Sequence, residues 1–327
     1  MIPTLVALSL VGMSLLLGGM KIMEAALKEW AGSRLSAAVG AMTSTPLRGF
    51  ALGTAASALL QSSTAVTVLT IGLVNAGLMP FGRSFGIILG TNVGTCLTTE
   101  LMSLQLHRYG VPLLAAGCAL WLWTALADEL AVLPKLPGVL RAPFRYGGAA
   151  LAGFALLLVG FAALREIGPL LQQEGAFQRL MSIAERQPIW GVLGGALLTA
   201  LVHSGSAVIG MAMGLASADA LSPLTGVAVV LGANVGTCVT GLIVSLGGTR
   251  GGKLVAVSQT ALNIGGALLF FPFMRELLAA ASALAPADPA AQIAHAQTIF
   301  NLACSAIALP LAYVRLRKPP QPLFRSR

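Results

Sequence analysis

The chain has 327 residues, of which 56% are hydrophobic and only 9% charged, with a net charge of +9 and a mean hydropathy of +0.85. A soluble domain carries about 25% charged residues, so this composition excludes a water-soluble globular protein and makes lipid the solvent for much of the chain. The basic residues sit in short gaps between apolar runs and form no clustered polar face, which argues against nucleic-acid binding.

The N-terminus, Met1-Ile-Pro-Thr4, has no basic n-region. The first apolar run, 4–27, leads into Lys21, Glu24 and Lys28 and not into a small-residue cleavage site, so it is expected to be a retained helix. Lys21 and Glu24 are spaced for an i,i+3 pair near its end. Further apolar segments lie at 49–76, 81–104, 110–131, 146–165, 191–215, 224–246, 253–273 and 293–314, most of them near the roughly 20 residues that cross a bilayer. Two polar stretches, 28–48 and 165–190, carry mixed charge among spaced apolar residues and are predicted to be amphipathic helices on the membrane surface, with an ordinary loop as the alternative. Glu100 is expected near the interface, late in its helix, and Asp128 and Glu129 end another segment. Cys96, Cys118, Cys238 and Cys304 lie in apolar segments without CxxC spacing and read as small buried residues. The basic tail (Arg315, Arg317, Lys318, Arg325, Arg327) predicts a cytoplasmic C-terminus.

An internal repeat organises the chain. Pro46–Leu104 aligns with Pro188–Leu246 at an offset of 142 with 21 of 59 positions identical, and Leu89–Cys96 matches Leu231–Cys238 at all but one position. Upstream, the pattern Gly12-x-x-Leu-Leu-Leu-x-Gly19 recurs at an offset of 141 as Gly153-x-x-Leu-Leu-Leu-x-Gly160. The expected organisation is repeat 1 over 1–131, a linker at 132–145, repeat 2 over 146–273, a last helix at 293–314 and a tail at 315–327. Charge bias does not decide whether 49–76 and 191–215 cross the membrane or turn back within it. Their mid-segment polar clusters, Gln61-Ser-Ser-Thr64 and His203-Ser-Gly-Ser206, favour turning back, because backbone broken at membrane depth must line a cavity or lie within protein. The halves are then inverted, as in secondary transporters. The expected fold is an all-α polytopic membrane protein with two inverted repeats, each holding a re-entrant helical hairpin and a broken transmembrane helix.

The second pair of polar clusters is Gly90-Thr91-Asn92-Val93-Gly94-Thr95 and Gly232-Ala233-Asn234-Val235-Gly236-Thr237. Two glycines and an asparagine within so few residues favour unwinding, which exposes carbonyls and amides. Carbonyl, hydroxyl and amide oxygens suit a bare alkali cation, while half-helix N-termini suit an oxyanion. None of the four clusters contains Lys or Arg. The competing reading is that these glycines and serines only let helices pack closely.

These motifs resemble those of the type II sodium-dependent phosphate cotransporters, over about residues 5–313. Members of that family carry Gln-Ser-Ser-Ser and Gly-x-Asn-x-Gly-Thr in each of two inverted repeats. The resemblance implies that Gln61, Ser62, Ser63, Thr64, Thr91, Asn92, Gly94 and Thr95 line one half-site, and His203, Ser204, Gly205, Ser206, Asn234, Gly236 and Thr237 the other. It also implies sodium bound through oxygens near Ser63, Asn92, Ser206 and Asn234, with inorganic phosphate as cargo and no resident cofactor. Gln259-Thr-Ala-Leu-Asn263 and Gln297-Thr-Ile-Phe-Asn301 resemble a family His-Thr-Leu-Phe-Asn motif with glutamine for histidine, which makes Gln259, Asn263, Gln297 and Asn301 secondary candidates, with His295 off that face. The chain is expected to be a short bacterial member without a C-terminal regulatory domain, in the inner membrane, moving its core in an elevator-like manner. A homodimer and a separate soluble regulator stay open as partners.

His203-Ser-Gly-Ser206 departs from the family pattern. The histidine either replaces a glutamine amide as a hydrogen-bonding group or couples transport to protons, with another small oxyanion as a further substrate. A channel is a third reading. An intramembrane serine hydrolase is remote, because adjacent His and Ser on a helix do not face each other and no catalytic acid is evident. The chain is expected not to be an enzyme.

Overall fold

A computed structural model describes residues 2–41, 45–129 and 136–316, and among them every regular element is helical. Part of the expected linker (132–135) and nearly all of the basic tail, with Arg317, Lys318, Arg325 and Arg327, lie outside the described residues.

The first half holds α1 (Ile2–Ala41), α2 (Pro46–Leu60), α3 (Ser63–Asn75), α4 (Phe81–Gly94), α5 (Cys96–Ser103) and α6 (Gly110–Glu129). The second half holds α7 (Gly138–Gln172), α8 (Gly175–Arg186), α9 (Ile189–Val202), α10 (Gly205–Ser217), α11 (Pro223–Gly236), α12 (Cys238–Ser245) and α13 (Arg250–Phe270). α14 (Met274–Leu284) and α15 (Pro289–Leu316) close the chain. Six stretches among the described residues are long and apolar enough to cross a membrane: Ala7–Ala31, Leu106–Ala127, Gly138–Gln172, Pro223–Ser245, Arg250–Leu284 and Pro289–Tyr313.

The expected surface helix at 165–190 is present in part as the amphipathic α8, which buries only Ala184. Its counterpart at 28–48 is not separate. α1 runs unbroken through Ala41, and the next helix starts at Pro46 behind an N-cap in which the Arg48 amide donates to Thr45 Oγ1 at 3.2 Å. No proline or glycine pair interrupts 20–31, so nothing in that stretch stops the first helix.

Glycines set the packing. α1 crosses α7 in antiparallel sense with backbones in contact. A Cβ on Gly19 would lie 2.5 Å from the Gly153 carbonyl oxygen, and one on Gly160 would lie 2.7 Å from that of Gly12. The two contacts exchange into each other when 141 is added to one residue number and subtracted from the other. α2 lies on α4 and α9 on α11 in the same close manner, while α13 and α15 pack across both halves. A central cluster containing Leu16, Leu157, Phe161, Ile209, Leu231 and Phe300 ties α1 and α7 to α10, α11 and α15. Leu193, Leu197, Leu201 and Leu268 are exposed, as lipid-facing positions require.

Candidate functional site

α2 and α9 end the same way. Gln61 and His203 both sit at the C-cap in left-handed conformation, with φ of 55° and 57°. This geometry costs a non-glycine residue about 1 kcal/mol or more and persists where the surroundings hold it. Thr98 Oγ1 donates to Gln61 Oε1 at 2.6 Å, and His203 Nδ1 shares a hydrogen bond with Thr240 Oγ1 at 2.9 Å. Thr98 and Thr240 are themselves related by the offset of 142, so histidine occupies the role that glutamine fills in the other half.

The next residue caps the following helix. Ser62 Oγ accepts from the Ala65 amide at 3.1 Å, and Ser204 Oγ accepts from the Ala207 amide at 3.4 Å. The Val66 and Val208 amides return to the Ser62 and Ser204 carbonyls. The geometry of a helix start leaves the amides of Ser63, Thr64, Gly205 and Ser206 without an intrahelical acceptor. All four residues line one cavity of about 30 Å³, so two helix N-termini from the two repeats converge on it.

The cavity is completed by Gln61, Ser62, Asn92 and Thr95 on one side and by His203, Ser204, Asn234 and Thr237 on the other, with Met20, Glu24, Ile209 and Gln297 around it. Twelve of the fifteen primary candidates therefore meet in one place. Thr91, Gly94 and Gly236 stand outside the lining. Thr91 is fully buried, its hydroxyl donating to the Ile88 carbonyl and its carbonyl accepting from Ser57 Oγ at 2.9 Å. Gly94 and Gly236 face the backbones of α2 and α9.

The Gly-x-Asn-x-Gly-Thr segments are not unwound. The break between α4 and α5 is the single residue Thr95, and that between α11 and α12 is Thr237; both keep right-handed backbone angles. Their amides still reach the Thr91 and Ala233 carbonyls, and their hydroxyls donate to the Asn92 and Asn234 carbonyls at 3.0 and 2.7 Å. The threonine hydroxyls thus occupy the carbonyls that unwinding would free, and the glycines serve close packing. The sharp break falls at Gln61–Ser62 and His203–Ser204.

Behind the cavity runs a buried asparagine bridge. Asn92 Nδ2 donates to Asn263 Oδ1 at 2.7 Å, and Asn263 Nδ2 donates to the Asn234 carbonyl at 2.8 Å. Asn263 and Asn301 each also donate to a repeat cysteine, Cys238 at 3.3 Å and Cys96 at 3.4 Å. Of the two secondary glutamines only Gln297 reaches the cavity. Thr99 Oγ1 donates to its Oε1 at 2.6 Å, whereas the equivalent position near Gln259 is Gly241, which has no hydroxyl.

Two ionisable features were not legible in the sequence. Glu24 reaches the cavity although it also makes the expected pair with Lys21 at 3.2 Å. Glu100 pairs with His295 at 2.9 Å and accepts from the Thr298 hydroxyl, which ties α5 to α15. Among the described residues, Glu24 and His203 are the ionisable groups of the cavity lining, and no group of three or more His, Cys, Asp or Glu side chains is placed to hold a metal ion.

The model of the Na+/Pi-cotransporter family matches residues 15–166 and 170–285, and the chain belongs to that family, a multi-pass membrane transporter family and not one of enzymes. An uncharacterized protein of Bacillus subtilis, YqeW, is 31% identical over 299 residues, covering 90% of this chain and 91% of that protein. The putative inorganic phosphate export protein YjbB of Escherichia coli is 23% identical over 300 residues, covering 91% of this chain; the chain spans about half (52%) of that relative's length. The rat sodium-dependent phosphate transport protein 2A shares 32% identity over 65 residues, 20% of this chain and 10% of that protein. No solved structure matches.

Proposed function

We propose that this member of the family moves inorganic phosphate across the inner membrane, coupled to sodium. The observation that carries the reading is that Ser63, Thr64, Gly205 and Ser206, the first residues of two helices, line one cavity that no Lys or Arg lines. Four N–H groups at two positive helix ends bind an oxyanion without a permanent cationic side chain. The surrounding oxygens near Ser63, Asn92, Ser206 and Asn234 are hard neutral ligands suited to sodium. A sodium ion there offsets the charge of the phosphate, so the two bind better together than apart.

The antiparallel α1–α7 crossing and its exchangeable glycine contacts support inverted repeats, with α2–α3 and α9–α10 as hairpins that turn within the membrane. In this reading α1 and α7 belong to a static scaffold, the core that carries both half-sites slides past it, and the C-terminus is cytoplasmic. Radiolabelled phosphate is expected to enter proteoliposomes under an inward sodium gradient and not under a matched potassium gradient. Absence of sodium-dependent uptake would sink this function.

His203 supports a second reading, proton coupling. The matched bonds of His203 to Thr240 and of Gln61 to Thr98 favour a hydrogen-bonding role for the imidazole instead. The His203→Gln variant is accordingly expected to keep sodium-driven uptake within about threefold of the parent, since it replaces one hydrogen-bonding group with another. Loss of that uptake, with proton-driven uptake in the parent, would transfer the coupling role to His203.

A further inference from the structure

The core does not sit symmetrically between the two crossed helices. The offset of 141 that equates Gly12 with Gly153 and Gly19 with Gly160 also equates Met20 with Phe161 and Glu24 with Arg165. The cavity with the two helix N-termini lies against Met20 and Glu24 of α1, and Ser204 Oγ donates to Met20 Sδ at 3.7 Å. The corresponding surface of α7 faces a separate cavity of about 120 Å³, which Phe161 and Arg165 line together with Met102 and Ser217.

In the sliding motion proposed above the core carries its site along the scaffold, and inverted symmetry makes the opposite state the one in which the two repeats have exchanged roles. Exchange of the repeats replaces the Ser204–Met20 contact by a Ser62–Phe161 contact. It brings the oxyanion site to the Arg165 side. The charge at the equivalent position then changes sign, from carboxylate to guanidinium.

We infer that Glu24 and Arg165 make the two faces unequal in affinity: phosphate binds more tightly from the Arg165 face than from the Glu24 face. This rests on the phosphate-transport reading above. A guanidinium gives an oxyanion two parallel charge-assisted hydrogen bonds, whereas a carboxylate repels it. The neighbouring charges reduce this contrast but do not change its sign at the two equivalent positions. Lys21 pairs with Glu24, but its side chain is 58% exposed and lies outside the cavity lining. In the second cavity Asp288 accepts from the Ala291 amide at 3.0 Å and from Gln105 Nε2 at 2.9 Å; its negative charge makes the Arg165 face less positive than the guanidinium alone would. Arg165 Nη1 lies 3.3 Å from His107 Nε2, a neutral acceptor that orients the guanidinium without cancelling its charge. The asymmetry sets the affinity on each face, while the coupling gradient sets the net flux.

The test measures the KM for phosphate separately from each face in proteoliposomes of uniform orientation. The parent KM is expected to be on the order of tenfold lower from the Arg165 face. Arg165→Gln should raise KM on that face alone, Glu24→Gln should lower KM on the opposite face alone, and the double exchange Glu24→Arg with Arg165→Glu should reverse the ratio. A purely structural role would move both faces in parallel, and that result overturns the inference. A second arm reads position without transport. With the four cysteines replaced by alanine, the pairs Met20→Cys/Ser204→Cys and Ser62→Cys/Phe161→Cys should both cross-link with a short bismaleimide. If the first pair cross-links and the second does not, the opposite state is not the one inferred, even where phosphate is transported. A parent that moves no phosphate under any gradient overturns the transport reading and this inference together.

Discussion

The Gly232→Ala variant is expected to lose its folded state in detergent and all phosphate uptake. A Cβ at this position would fall inside the Val192 carbonyl oxygen and lie 2.7 Å from the Val192 carbonyl carbon and 2.9 Å from the Ala196 amide nitrogen. Each of these atoms is backbone of α9, so no side chain can rotate away. The helices must separate, and α9 leads directly into His203 and the capped start of α10. Overpacking of this kind costs about 1–3 kcal/mol where side chains can adjust, and backbone against backbone places this case at or above the top of that range. Gly90 meets Phe50 of α2 in the same way, so Gly90→Ala should fail for the same reason in the other half. Gly194→Ala supplies the control. It lies on the same α9 with no atom within 4 Å of its Cβ, and it should leave the thermal midpoint unchanged or raise it slightly, by relieving about 0.5–1 kcal/mol of glycine entropy. Size-exclusion profiles and melting curves of the three variants decide the matter. A monodisperse Gly232→Ala protein with parental stability would show that the α9–α11 backbone contact is not tight.

The repeat was legible because duplicated residues keep their local chemistry. The capped serines Ser62 and Ser204 and the left-handed Gln61 and His203 are short-range features, and the offset of 142 carried each from one half to the other. The polar clusters were legible for a related reason, since hydroxyls and amides in an apolar run need partners at membrane depth. What failed to show was whatever depends on distant partners. Gly-x-Asn-x-Gly-Thr reads as an unwound segment, yet its glycines are required by the backbones of α2 and α9, more than thirty residues away in sequence. Glu24 reads as the end of a helix that in fact continues to Ala41, so the carboxylate lies alongside the cavity and not at a terminus. His295 stands off the Gln297 face, and its partner Glu100 is 195 positions distant. The competing readings of the glycines, ligand and packing, also divide between neighbours. Gly205 lines the cavity, whereas Gly94 and Gly236 serve packing.

Removal of the Asn263 side chain should give the largest loss of transport without loss of the fold. Asn263 is 3% exposed and joins the halves: it accepts from Asn92 Nδ2, and it donates to the Asn234 carbonyl. Asn92 and Asn234 both line the cavity, so one buried amide holds one residue from each half-site. In Asn263→Ala the Asn92 amide loses its acceptor inside the protein and the Asn234 carbonyl loses a donor. The Asn234 carbonyl keeps the Thr237 hydroxyl, so the main loss is the unpaired Asn92 amide, which costs about 1–3 kcal/mol, towards the low end in membrane proteins, where the unfolded reference also finds partners. The thermal midpoint should fall by only a few degrees. Uptake should fall much further, at least about tenfold, because a displacement near 1 Å in a preorganised site is enough to lose two orders of magnitude. Asn92→Ala should abolish uptake outright, since it removes a lining group together with the bridge. Asn301→Ala separates the two effects. It removes a comparably buried amide that donates to Cys96 and does not line the cavity, so its stability should fall by a similar amount with a smaller loss of uptake. If Asn263→Ala and Asn301→Ala lost uptake equally, burial alone would account for both, and the bridge between the half-sites would have no particular role in holding the anion.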